Sequence, residues 1–428
     1  MTTATVPCVL VDAWLPRAAA RHPDRPAVNA LTYAELLGEV DATARRLAGR
    51  GVRARDRVGV ALPPGEAFCI ALHAILRLGA VAVPVDQRLT ARERARVVEG
   101  TTEVIDGAVI ATPASEARLR DRHDLEAPAI VVHTSGTSGT PKAVELTYGN
   151  WLWSALGSAV ALGLDHAERW LCALPLSHVG GLSIVMRSAI YATTAIVHER
   201  FDTDRVLDTL MGADAPTMVS LVPTTLQRLL DAGLRETPAL RWALLGGAPA
   251  TTALQGRAAA AGVPVAPTYG LTEACSQVTT LGAPLFCTRV RMAGDGEILV
   301  SGPTVAPSAG PVLATGDLGE WRPDRALRIV GRKADTIVSG GENVAPAEVE
   351  AVLEAHPDVV EAAVHGRAHP VWGEAVVATV VADPDLEAEE LRAWCAARLA
   401  TFKVPKEIAF TVALPRTPSG KVARKDLR

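Results

Sequence analysis

Short apolar runs of strand character alternate with segments of helical period through the first three quarters of the chain, and few folds accommodate that rhythm. Residues 57–62 and 80–85 flank the helical pattern at 66–78, and the runs 194–197, 217–222 and 242–245 repeat the theme. Parallel strands need a crossover connection, usually a helix, so the alternation predicts α/β layers around mainly parallel sheets. At 428 residues and 49% apolar content the chain can fill two or three domain cores.

Near Gly331 the texture changes. The stretch GRKADTIVSGGENVAP is polar, charged and rich in glycine, and a fresh helix follows, with Pro346 suited to its first turn and Val349, Val352 and Leu353 on one face. Strand-like runs at 359–364, 375–381 and 408–412 and a helical stretch at 386–399 complete an α+β unit large enough to own a core. The expected division is therefore 1–331 and 332–428, with a flexible boundary at 332–336.

A formal charge of −4 and the lack of any block of like charge give no sign of a nucleic-acid partner or of a tail for polyanions or membranes. Six cysteines lie far apart with no CxxC, which indicates neither a disulfide framework nor a zinc site and makes a reducing cytoplasm the default. The most apolar stretch, 67–85, is interrupted by His73, Arg77 and Pro84 and reads as a buried helix running into a strand, not as a membrane insertion. Self-association is left open.

The densest chemistry sits at His133–Val144, HTSGTSGTPKAV, just after the apolar run 129–132. Gly136 and Gly139 let successive backbone N–H groups turn toward one anion. Thr134, Ser135, Thr137 and Ser138 add hydroxyls, and Lys142 adds a full charge. A Walker A loop needs Gly before the lysine and Ser or Thr after it, whereas Pro141 and Ala143 occupy those places, and VELT alternates like a strand. Of the 43 basic residues only six are lysines, so a lysine retained here suggests a need for a compact, flexible point charge.

Four further segments stand in order: Tyr269-Gly-Leu-Thr-Glu273; Thr315-Gly-Asp317; Gly331-Arg332 with Ser339-Gly-Gly-Glu-Asn343; and Pro415-Arg-Thr-Pro-Ser-Gly-Lys421. With the first loop they resemble the adenylate-forming superfamily of acyl-CoA synthetases, adenylation domains and luciferases. The resemblance implies a large N-terminal domain of layered sheets and helices, a small mobile C-terminal domain, and a two-step reaction. A carboxylate attacks the α-phosphate of ATP, and a thiol, here that of CoA, then displaces AMP. It further implies that the loop from Thr134 to Lys142 grips the distal phosphates, that Thr272 contacts the α-phosphate and that Glu273 helps hold Mg²⁺. Gly247, Ala248 and Tyr269 would line the nucleotide, Asp317 and Arg332 would meet the ribose, and Lys421 would bridge carboxylate and α-phosphate. His178 matches the family's residue at the acyl and thiol tunnel. Ala334 stands where relatives often carry Asp or Lys at the pivot of domain rotation, and Ala143 where they commonly carry glycine.

The segment from Leu174 to Ser188, together with 220–230, Leu245-Gly-Gly-Ala-Pro249 and 276–280, looks like the corresponding region of the 2-succinylbenzoate–CoA ligases of menaquinone biosynthesis. Gly246 and Ser276 then fall at the acid, beside His178. Arg187, nine residues beyond His178, would hold the aryl carboxylate while the succinyl carboxylate reacts. A buried arginine is costly without an anion, so the expectation carries a preference for a dicarboxylic acid. Another aryl or acyl-CoA ligase, or a stand-alone adenylation enzyme that loads a carrier protein, are the alternatives. Lys421→Ala is expected to abolish acyl-adenylate formation, by on the order of 10²-fold or more, while sparing thioester formation from supplied acyl-adenylate. Single-turnover assays of the two half-reactions check this, and equal loss of both would refute the assignment.

Overall fold

The computed structural model describes residues 9–107, 115–135, 141–339, 341–416 and 422–427. By its internal contacts the chain divides into two compact units. The first comprises Met1–Gly247, Arg257–Arg289 and Val300–Leu313, the second Ala248–Gly256, Val290–Leu299 and Ala314–Arg428.

The first unit is built on two sheets. Six parallel strands form the body of a nine-stranded sheet, in the order Val265–Leu271, Trp242–Leu245, Met218–Leu221, Arg169–Cys172, Thr194–Val197 and Pro26–Val28. Antiparallel strands close its edges, Ser276–Thr280 and Ala283–Pro284 at one end and Leu31–Thr32 at the other. The second sheet runs Glu103–Ile105, Arg57–Val60, Val81–Pro84, Pro128–Ser135 and Pro141–Thr147, parallel except for its last pair.

Sequence sets the helices between them. Helix Tyr33–Gly49 starts at a capping box in which the Thr32 hydroxyl accepts from the Glu35 N–H and the Glu35 carboxylate accepts from the Thr32 N–H. Its Leu36, Val40, Ala44 and Leu47 follow the helical period and are fully buried. Helix Glu66–Leu78 is apolar nearly all round, and it is enclosed between that helix and strands Arg57–Val60 and Val81–Pro84.

The second unit carries the α+β pattern read from its sequence. Strands Val359–His369 and Gly373–Ala382 form a long antiparallel pair, joined by Ile337–Ser339, Glu342–Val344 and the parallel strand Glu407–Phe410. Helices Pro346–Leu353 and Ala388–Ala396 bury Val349, Leu353, Leu391 and Cys395 in its core. The long pair outruns its apolar stretch, because ladder hydrogen bonds continue through exposed Arg367 and half-buried His369, whose side chains need no core. The helical pattern expected at 386–399 is correspondingly shorter.

His73 and His123 are among the histidines buried in the first unit. His73 is on helix Glu66–Leu78, and His123 stacks on the Tyr148 ring at 4.1 Å with Trp14 edge-on. Burial pushes His73 down to about 4. Burial, then the nearby His73 and Arg77, push His123 down to about 3. Both therefore fold neutral, and the unfolded chain, with histidines near 6.5, binds more protons below that value. Their contribution to stability is complete above about pH 6.5 and falls as pH drops toward 4, by up to about 1.4 kcal/mol per pH unit for each group. Urea midpoints measured from pH 7 to 4 are expected to show that slope, and His73→Gln should flatten it.

Candidate active site

The segment Pro128–Ser135 and the segment Pro141–Thr147 are antiparallel, with Thr134 opposite Lys142 and Ser135 opposite Pro141. The second strand passes straight into helix Tyr148–Leu162, so the chain leaves the loop on a strand, as the VELT alternation predicts. Gly136, Thr137, Ser138 and Gly139 lie outside the described residues. The Lys142 side chain is largely exposed, and its Nζ stands 3.7 Å from Glu273 Oε1, which joins the loop to a carboxylate 131 positions along the chain.

Glu273 sits in a tight turn. Strand Val265–Leu271, which carries Tyr269, ends in the 3-10 turn Thr272–Ala274, and strand Ser276–Thr280 folds back along it. Cys275 and Ser276 both hold positive φ, 52° and 93°, an uncommon and strained conformation for residues with a side chain. A Cβ on Gly270 would meet the Ser276 carbonyl oxygen at 1.8 Å, so the closure demands glycine there. The turn is held from outside by the Ser154 hydroxyl, which donates to the Cys275 carbonyl at 2.6 Å, and by the Ala306 N–H, which donates to the Glu273 carbonyl at 2.8 Å. Gly246 and Gly247 follow strand Trp242–Leu245 beside it. A Cβ on Gly246 would approach Thr268 Cγ2 to 2.7 Å, and Gly247 takes a φ of 81°. The next residue, Ala248, is exposed.

Arg187, on helix Val179–Tyr191, is 1% exposed. Its Nη2 donates to Ser154 Oγ at 3.2 Å, and its guanidinium lies 5.5 Å from the Trp170 ring centre. Nε and Nη1 are buried without a hydrogen-bond partner, and among the described residues no carboxylate pairs with the group. Burial holds the guanidinium below its ordinary value. His178 caps the N-terminus of the same helix, and its ring meets Asp86 and Arg88, which follow strand Val81–Pro84. The helix fits against its own approach only because residue 181 is glycine, where a Cβ would meet the Pro175 carbonyl oxygen at 2.5 Å.

In the second unit Asp317 and Arg332 are opposite each other across strands Leu313–Trp321 and Leu327–Arg332, with Arg332 Nε 2.7 Å from Asp317 Oδ1. Asp317 is buried and Arg332 is exposed. Lys421 lies outside the described residues. A bridge between Arg416 and Val422 brackets its segment.

The fold thus gathers Lys142, Thr272, Glu273 and Ser276 at one turn, and ties that turn to Arg187 through Ser154. Sequence reading missed Ser154, Asp86 and Arg88, because each acts through a partner 33 to 121 residues away and no local motif marks it. Gly270→Ala is expected to displace the turn and cut adenylation by roughly 10²-fold, the scale of a 1 Å misplacement at a reacting centre. Pyrophosphate release measured on the folded variant checks this, and near-parental rates would show that the turn tolerates a shift.

An AMP-binding enzyme model matches residues 15–105 and 100–308, and an AMP-binding enzyme C-terminal domain model matches 348–421. A 2-succinylbenzoate–CoA ligase of Geobacillus kaustophilus is 38% identical, covering 97% of this chain and 97% of the relative. The ligase of the same description from Bacillus subtilis is 34% identical over the same shares. Among solved structures, the Bacillus subtilis o-succinylbenzoate CoA synthetase in complex with the acyl-adenylate intermediate superposes with a TM-score of 0.90 at 33% identity, covering 98% of each chain. The same synthetase in complex with ATP and magnesium ion gives 0.90 at 34%, covering 98% of this chain and 100% of that one. These matches span both units, and the chain belongs to the AMP-binding enzyme family.

Proposed function

We propose that this chain is an AMP-forming acid–thiol ligase that converts 2-succinylbenzoate, ATP and CoA to 2-succinylbenzoyl-CoA, AMP and pyrophosphate through an acyl-adenylate. The relatives above carry that activity in their descriptions, and their likeness extends over nearly the whole chain. The observation that carries the choice of acid is Arg187. A guanidinium cannot shed its charge in a protein, and an enclosed cation with two unpaired donors lacks an anion. An acid with a second carboxylate supplies one.

The first step needs charge stabilised at the α-phosphate as pyrophosphate departs. Lys142 and the loop it closes offer a cation and donors for the distal phosphates, and Thr272 offers a hydroxyl beside Glu273. A single carboxylate suits Mg²⁺, which is commonly held by one or two carboxylates together with substrate phosphates, and Glu273 provides that hard oxygen. When bound, the ion neutralises phosphate charge. Asp317 would accept from ribose hydroxyls, with Arg332 beside it, and Lys421 would arrive on a C-terminal domain pivoting near 332–336. His178 and Ser276 complete the acid and thiol side. The cysteines Cys69, Cys172, Cys275, Cys287 and Cys395 are all free thiols, which suits a cytoplasmic setting.

Arg187→Ala is expected to raise KM for 2-succinylbenzoate by roughly 10- to 150-fold, from about 1.5–3 kcal/mol for a lost charged hydrogen bond, with little change in KM for ATP. Coupled AMP detection across a panel of acids checks it. An unchanged KM, or full activity of the parent enzyme on benzoate, would favour another aryl- or acyl-CoA ligase.

A further inference from the structure

Asp86, Arg88 and His178 form a triangle of three atoms with conflicting demands. Arg88 Nη2 lies 2.6 Å from Asp86 Oδ2 and 3.1 Å from His178 Nε2, while Nε2 lies 3.4 Å from the same Oδ2. Arg88 also donates to Asp86 Oδ1 through its backbone N–H and its Nε, both at 2.9 Å. A guanidinium only donates, and an ionised carboxylate only accepts. Burial pushes the Asp86 carboxyl up, but hydrogen bonds from Arg88 and His178 outweigh it and hold the group ionised.

The imidazole is the one member that can change role. Protonated at Nε2 it donates to Asp86 and leaves Nδ1 as an acceptor. Protonated at Nδ1 alone it accepts from Arg88. Which nitrogen carries the proton is set by the partner that wins, and the ring's other nitrogen follows. No further charged group approaches the ring among the described residues, and Nδ1 makes no protein hydrogen bond there.

We propose that Asp86 and Arg88 are opposed positioning residues for His178, Asp86 favouring the form with Nδ1 open to accept a proton and Arg88 the form with Nδ1 protonated. This rests on the reading that a thiol reaches the acyl-adenylate past His178. In that step sulfur bonds to the acyl carbon, the bond from that carbon to the AMP oxygen breaks, AMP leaves as the anion, and the thiol proton must pass to an acceptor. His178 Nδ1 accepts it only in the form that Asp86 supports.

The opposition gives the test its sign. In protein with nitrogen-15-labelled histidine, assigned through His178→Gln, Asp86→Asn is expected to raise the share of the neutral His178 ring that is protonated at Nδ1. Arg88→Gln is expected to shift the ring the other way, toward Nε2 protonation, and Arg88→Lys should restore it in part. Single-turnover transfer from preformed acyl-adenylate to CoA should fall as the Nδ1-protonated share rises, slowing in Asp86→Asn more than in Arg88→Gln. Mere loss of the Asp86–Arg88 bridge would move both variants alike, so shifts of the same sign, or none, overturn the proposal. Opposite shifts with an unchanged transfer rate in both variants overturn the part played in the thiol step. A parent enzyme that fails to ligate 2-succinylbenzoate would instead refute the function proposed above, and the nitrogen shifts would still decide the positioning.

Discussion

The tight closure between strands Val265–Leu271 and Ser276–Thr280 is the constraint on which the geometry around Thr272 and Glu273 depends. It brings Gly270 so near the Ser276 carbonyl that no side chain fits, and it drives two residues with side chains into positive φ. Such strain persists only where the surroundings over-determine it. Here they do so from three directions: the ladder to Ser276–Thr280, the Ala306 amide, and the Ser154 hydroxyl on helix Tyr148–Leu162. The helix is itself fixed at a capping box, with Thr147 accepting from the Asn150 N–H, while the Asn150 amide donates to the Pro303 and Val305 carbonyls. One element thereby steadies both the strained turn and the segment that supplies Ala306.

Much of this scaffold was legible before any coordinates. Strand–helix alternation follows from the period of buried faces, which is local, and the strand after Lys142 is readable because Ala143 and the alternating VELT offer no helix start. The motif around Glu273 could be placed at the site by likeness to a family. The reason for its shape could not, since the clash at Gly270 is with a backbone atom six residues away in a bulged ladder. Asp86 and Arg88 were silent for a related reason: they follow a strand of the second sheet and meet His178 only because two sheets pack in one unit. A one-dimensional pattern reports which face is buried, not which loop arrives opposite.

Exposed and enclosed charges divide the labour differently. Lys333, beside Ala334, reaches Asp295 at 2.6 Å and Glu297 at 2.9 Å, and all three side chains touch solvent. Solvent-exposed pairs of that kind contribute little to stability and weaken with salt. Next to Ala334 a positive charge is thus held in a form that can be broken cheaply.

Arg187 is the opposite case. It is fully enclosed, it has an aromatic face beside it, and among the described residues its hydrogen bond goes to a hydroxyl that is already donating to the Cys275 carbonyl. Ser154 has a single hydrogen, so toward Arg187 it can only accept, and the polarity of the chain from guanidinium to hydroxyl to carbonyl is fixed. An anion drawn to the two unpaired donors would compete for the same positive charge. That competition would weaken the pull on Ser154 and leave its hydroxyl a stronger acceptor but a weaker donor to the turn. On the proposed reading, a spare carboxylate bound at Arg187 would be felt, through one side chain, at the Thr272–Glu273 turn. A monocarboxylic acid would lack this link, however well its ring fits, and so the arginine proposed to select the acid would also couple that selection to the strained turn.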